Sequence, residues 1–97
     1  MSEGVERVFS RREGIVARHV AGETVLVPIK GRLADLQRIF TLNEVGACIW
    51  ELLDGTRDLQ AVATELEESF EVSRSEAEAD VNEFVTQLLE ADLITAV

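Results

Sequence analysis

Arg38-Ile39-Phe40-Thr41-Leu42-Asn43-Glu44-Val45-Gly46-Ala47-Cys48-Ile49-Trp50-Glu51-Leu52-Leu53-Asp54-Gly55 is the stretch in which the chain changes its hydrophobic period. Residues 38–42 fit a short strand, in which side chains alternate between two faces. Beyond them, Val45, Ile49, Leu52 and Leu53 fall on one face of a helix, with Trp50 at its margin. Asn43 is a good N-cap, and Thr41-x-x-Glu44 also scores as a capping box, so a helix from about Asn43 to Leu53 has two residues of latitude at its start. Asp54-Gly55 ends it, because Gly takes the left-handed backbone conformation readily. Just upstream the pattern is ambiguous, since Leu33, Leu36, Ile39 and Phe40 also fit helical spacing. Residues 31–36 read as a loop and 37–42 as a third strand.

Working outward, Ile15–Val20 and Glu23–Ile29 are rich in Val and Ile and flank Ala21-Gly22, the pattern of a hairpin. Pro28 cannot donate a ladder hydrogen bond and belongs near the end of its strand. After a tight Gly-Thr-Arg-Asp turn, a second helix follows Asp58 as its cap. Leu59, Val62, Ala63, Leu66 and Phe70 keep its helical period. A third helix, near 75–91, starts at Ser73 or Ser75, and Ser73-x-x-Glu76 is a capping box. Ala77, Val81, Phe84, Val85, Leu88 and Leu89 form its long apolar stripe. Asp92–Val97 ends in a short extended segment. The expected class is α+β, winged helix-turn-helix-like, with a three-stranded antiparallel sheet followed by three α-helices. Residues 1–11 read as a flexible N-terminal tail and 12–97 as the single domain.

The chain has 97 residues, of which 46% are hydrophobic, which suits one folded domain and not a disordered segment. Its net charge is −10 and unevenly spread. Residues 1–42 hold seven Lys/Arg against five Asp/Glu, whereas residues 43–97 hold two against fourteen. So acidic a chain is a poor partner for nucleic acid or anionic lipid. A winged helix that reads DNA does so through its last helix, and here that helix carries Glu76, Asp80, Glu83 and Glu90 along an outward stripe. Those carboxylates serve solubility, or they steer a basic partner. No apolar run approaches the roughly 20 residues of a membrane span. Met1-Ser2-Glu3-Gly4 shows no signal pattern, and a single Cys without a disulfide partner points to a reducing cytoplasm.

Reactive groups are few: one His, one Cys and no Tyr. His19 lies in an alternating strand and Cys48 in an apolar helical run. Together they supply two of the three or four ligands that zinc needs. The glycines at 4, 14, 22, 31, 46 and 55 are scattered singly, so no phosphate loop is present. These features describe a binder with no catalytic residue, no metal and no cofactor.

The ordered combination Leu42-Asn43-Glu44, Ile49-Trp50, Asp54-Gly55, Leu59-x-x-Val62-Ala63-x-x-Leu66, Phe70, Asp80-Val81-x-x-Phe84-Val85-x-x-Leu88 and Leu93-Ile94 resembles the PqqD family. Glu23-Thr24-Val25-Leu26-Val27-Pro28 is similar to that family's second strand, so the resemblance covers about residues 12–95. It implies a peptide-recognition module that binds the leader of a ribosomally made precursor peptide. The module presents that leader to a modifying enzyme, often a radical S-adenosylmethionine (radical SAM) enzyme, as in pyrroloquinoline quinone biosynthesis or a related pathway. The third strand would be a sheet edge able to accept an added peptide strand. The expected groove lies between strand 38–42 and helix 75–91, lined by Arg38, Ile39, Phe40, Thr41 and Leu42 and by Val81, Phe84, Val85 and Leu88. Plain core packing is the alternative for Phe84, Val85 and Leu88. On the strand, Arg38, Phe40 and Leu42 share one face and Ile39 and Thr41 the other, and either set could fill the core. The rival functions are a winged-helix DNA regulator and a structural subunit that forms a homodimer through the same edge.

Overall fold

The computed structural model describes residues 7–29 and 40–97. β-Branched residues make up half of the first two elements of one sheet, β2 (Ile15–Val20) and β3 (Glu23–Pro28). Ala21 and Gly22 between them both have positive φ, 52° and 83°. Positive φ at both central residues is the requirement of the primed hairpin turn, whose twist matches that of the strands. Pairing runs from Val20↔Glu23 to Ile15↔Pro28, so Pro28 stands at the strand end as expected. β4 (Phe40–Leu42) lies antiparallel on the other side of β3, with Leu26↔Phe40 and Thr24↔Leu42 in register. Leu26 and Leu42 are buried and Thr41 is exposed, so the Phe40/Leu42 face turns inward.

Three helices follow among the described residues: α1 (Glu44–Leu52), α2 (Leu59–Phe70) and α3 (Arg74–Glu90). Each begins at a side chain that satisfies an otherwise orphaned backbone N–H. Asn43 accepts from Gly46 N–H at 2.8 Å, Asp58 from Ala61 N–H at 2.8 Å and Ser73 from Glu76 N–H at 3.1 Å. α2 ends where Glu71 adopts a left-handed backbone, φ 53°. Arg74 then ties α3 back to α2, donating to Glu67 at 2.9 Å and Thr64 Oγ1 at 2.7 Å while also engaging Glu78 at 3.0 Å. The apolar faces of the helices meet the inner face of the β2–β4 sheet in one core. Leu26, Ile49, Leu53, Val62 and Leu88 are fully buried there, and Trp50 is buried with them.

The expectation of one sheet is corrected by a second one. β1 (Val8–Arg11) runs between β5 (Asp54–Asp58) and β6 (Ile94–Ala96), antiparallel to both. Residues 8–11 are therefore part of the fold and not of a tail, and the Phe9 side chain is only 1% exposed. Residues 55–58, expected as a turn, extend as part of β5 instead, because β1 supplies the hydrogen-bonding partners that their own composition does not suggest. Gly55, at φ +85°, absorbs the local irregularity. β1 also closes α1: the Arg11 guanidinium donates to the carbonyls of Trp50 at 3.2 Å and Glu51 at 3.3 Å. A cation there offsets the negative end of the helix dipole. The loop expected at 31–36 and strand residues 37–39 lie outside the described residues. Among the described residues, no helix is long and apolar enough to cross a membrane.

Candidate functional site

β4 has a ladder partner on one side only among the described residues, which makes it a sheet edge. Beside it runs a groove of about 270 Å³, walled by β4, the first turns of α1 and one face of α3. Phe40 from β4 and Phe84 from α3 meet within it at 6.3 Å between centroids, with their planes at 64°. Gly46 lies beside the Phe84 ring and the Asn43 cap. A Cβ at Gly46 would stand 3.4 Å from Cε1 and Cζ of Phe84 and 3.4 Å from the capping oxygen of Asn43. The cap that starts α1 and the ring that lines the groove thus share one small volume.

Of the expected site residues, the structure brings Phe40, Thr41, Leu42 and Phe84 together around this groove. Arg38 and Ile39 lie outside the described residues. Val81, Val85 and Leu88 are 1%, 4% and 0% exposed and pack in the core, and the groove lining does not include them. The buried line of α3 is Ala77, Val81, Val85 and Leu88. Phe84 sits about 100° around the helix from Val85, at the margin of that line. The residues beside it on the groove wall are polar, namely Asp80, Glu83 and Gln87. Sequence reasoning placed Asp80 and Glu83 on an outward stripe and missed that they flank the groove. Their i, i+3, i+4, i+7 spacing with Phe84 and Gln87 was the available signal.

A second depression, of about 400 Å³, opens on the opposite side of the β4–α1 junction. His19, Thr24, Cys48 and Trp50 line it. His19 Nδ1 lies 3.0 Å from Thr24 Oγ1, its cross-strand neighbour. Cys48 is half-buried, and its thiol pKa is pushed up by burial and, to a lesser degree, by the charge of Glu65. A raised thiol pKa leaves less thiolate and a poorer nucleophile. Among the described residues, no group of three or more His, Cys, Asp or Glu side chains could hold a metal ion.

The family model described as coenzyme PQQ synthesis protein D (PqqD) matches residues 23–94. The match contains β4, all three helices and both walls of the groove, and leaves out β1 and β2. Two solved structures are similar to this chain. One is TbiB1 in complex with the TbiA(beta) leader peptide, at 24% identity and a TM-score of 0.71, covering 88% of this chain and 93% of that one. It shows the fold. The other is lasso peptide synthetase B1 complexed with the leader peptide, at 26% identity and a TM-score of 0.74, covering 90% of this chain and 96% of that one. A sequence search of curated proteins finds no match.

Proposed function

Because this chain belongs to the PqqD family, we propose that it is a non-catalytic module that captures the leader of a ribosomally made precursor peptide as a strand added to β4. The observation that carries this reading is the groove between the β4 edge and α3, with Phe40 and Phe84 inside it. Strand addition pairs backbone N–H and C=O groups and so tolerates sequence variation, while pockets beside the edge select side chains. Phe40, Thr41, Leu42 and Phe84 form the proposed contact set, and Asp80, Glu83 and Gln87 extend it. Arg38 and Ile39 join it on their sequence position alone. The leader complexes of the two similar solved chains support the same reading.

In this proposal the module delivers its peptide to a modifying enzyme in the cytoplasm. The family resemblance favours a radical SAM enzyme, in pyrroloquinoline quinone biosynthesis or a related pathway. A second reading, favoured by the 96% coverage of lasso peptide synthetase B1, is leader delivery in lasso peptide synthesis. Co-purification with one enzyme or the other separates the two. The helices beside a hairpin fit a winged-helix arrangement turned to peptide capture, and the acidic α3 argues against DNA.

Amide hydrogen exchange on the full chain tests the capture itself. The probe is a synthetic leader peptide, chosen from the short open reading frames that flank this gene by its binding to the full chain. Protection gained at residues 40–42, with side-chain shifts at Phe84, is the expected result. Protection confined to α1 and α2, with β4 unchanged, ends the proposal.

A further inference from the structure

We infer that the groove selects its peptide by charge pattern: an apolar side chain flanked, on the same face of the added strand, by Lys or Arg. This rests on the strand-addition reading and names the class of peptide it takes. The Phe40–Phe84 pair provides an aromatic seat in the groove. Toward the start of α3 the wall carries Asp80 and Glu83. In the other direction the groove continues past Phe40 as a depression of about 230 Å³, lined by Gln87, Glu90 and Ala91. Carboxylates therefore bracket the rings on both sides.

These carboxylates differ from others nearby. Glu67 and Glu78 are engaged by Arg74. Among the described residues, Asp80, Glu83 and Glu90 take part in no ion pair. From residue 75 to residue 97 there is no Lys or Arg, so α3 cannot neutralise its own wall. An acidic peptide lying along α3 meets like charge, and a basic one supplies the opposite charge that α3 does not carry.

The spacing sets the pattern. Asp80 lies about 6 Å and Glu90 about 9 Å along the helix axis from Phe84, at 1.5 Å per residue. Same-face side chains on an extended strand recur every ~6.8 Å. For a strand laid along α3, a Lys or Arg two residues before or after the apolar anchor comes level with a carboxylate, and its flexible stem takes up the difference. Each such exposed pair changes affinity about twofold to fivefold, and less as salt rises.

Panning the full chain against a random-sequence peptide library tests this. Enriched sequences should carry Leu, Ile, Val or Phe with Lys or Arg two residues away. The double variant Asp80→Asn, Glu90→Gln should then weaken a selected peptide that is basic on both sides of its anchor about fourfold to twenty-fivefold at low salt, the combined effect of two such pairs. It should also flatten the salt dependence and weaken a charge-neutral version of the same peptide less than the basic one. Enriched peptides that protect residues 40–42 but show no basic bias overturn the charge pattern and leave strand capture standing. So does a basic peptide that binds parent and double variant equally. Peptides that protect some other surface overturn strand capture and the charge pattern together.

Discussion

Phe40 on β4 and Phe84 on α3 meet edge to face, with ring centroids 6.3 Å apart and planes at 64°. Both rings are only half-buried, so the pair joins sheet to helix while leaving aromatic surface open to the groove. Edge-to-face pairs contribute about 0.5–1.5 kcal/mol beyond the area they bury. A double-mutant cycle of Phe40→Ala and Phe84→Ala, read by urea unfolding, should return a coupling in that range. Phe84→Ala should also weaken peptide binding about tenfold. Full additivity in the cycle would deny that the rings hold β4 to α3.

The second prediction separates core from groove on α3. Leu88 is 0% exposed, and Leu88→Ala should cost about 2–5 kcal/mol in unfolding free energy. The protein that remains folded should bind peptide within a few-fold of the parent. Glu83→Gln should do the reverse, changing stability by less than about 0.5 kcal/mol while altering peptide affinity. Leu88→Ala that keeps its stability but loses binding would return Leu88 to the groove.

The helical and hairpin parts of this fold were legible because they rest on short-range physics. Asn43, Asp58 and Ser73 each cap the helix they precede. Ala21-Gly22 turns a hairpin within its own two residues. The β1–β5–β6 sheet was legible only at 92–97, where the expected extended segment contains β6. Its strands have three to five residues, β5 reads Asp-Gly-Thr-Arg-Asp, and its partners are far apart in sequence. Such pairing is decided by tertiary context, which overrides local propensity. The groove was half legible. Sequence located β4 and α3 as its walls, but an apolar stripe that includes Phe84, Val85, Leu88 and Leu89 does not reveal the helix rotation. That rotation buries Val85 and Leu88, leaves Leu89 40% exposed, and turns Phe84 to the groove.

β1 should prove indispensable. Phe9 is buried, and Phe9→Ala should cost about 3–5 kcal/mol. Arg11→Met keeps most of the stem but removes the cation that caps the Trp50 and Glu51 carbonyls, and should cost about 1 kcal/mol. A chain lacking residues 1–11 should lose cooperative urea unfolding. A truncated chain with the parent midpoint would make the second sheet dispensable.

Asp54 gives a pH-dependent test. The Thr56 hydroxyl and Thr56 N–H donate to its carboxylate, and Arg57 lies beside it, so its pKa falls below the ordinary aspartate value. A lowered folded-state pKa contributes stability that is present above the unfolded value, about 3.9, and is lost as pH falls through the folded value. Asp54→Asn should therefore lower the thermal midpoint slightly at neutral pH, since the group is exposed. The two midpoints should converge in strongly acid solution. A gap that persists unchanged into acid would trace the effect to side-chain geometry and not to charge.

Gly46→Ala probes the point where cap, ring and groove converge. Replacing Gly in a helix by Ala gains up to about 1 kcal/mol of propensity, less near the N-terminus. The new methyl would stand 3.4 Å from two atoms of the Phe84 ring, at the near edge of ordinary contact. Because Phe84 is only half-buried, its ring can yield by a few tenths of an ångström toward the groove. The propensity gain and the displacement should nearly cancel, leaving stability within about 1 kcal/mol of the parent. Binding has no such offset, because Gly46 itself lines the groove and the displaced ring enters the same space. Peptide affinity should fall several-fold while the unfolding midpoint barely moves. A loss of more than about 2 kcal/mol in stability would mean that Phe84 is locked and cannot yield. Unchanged affinity would mean that the peptide does not reach the volume between Gly46 and the ring, and strand capture would have to end short of Phe84.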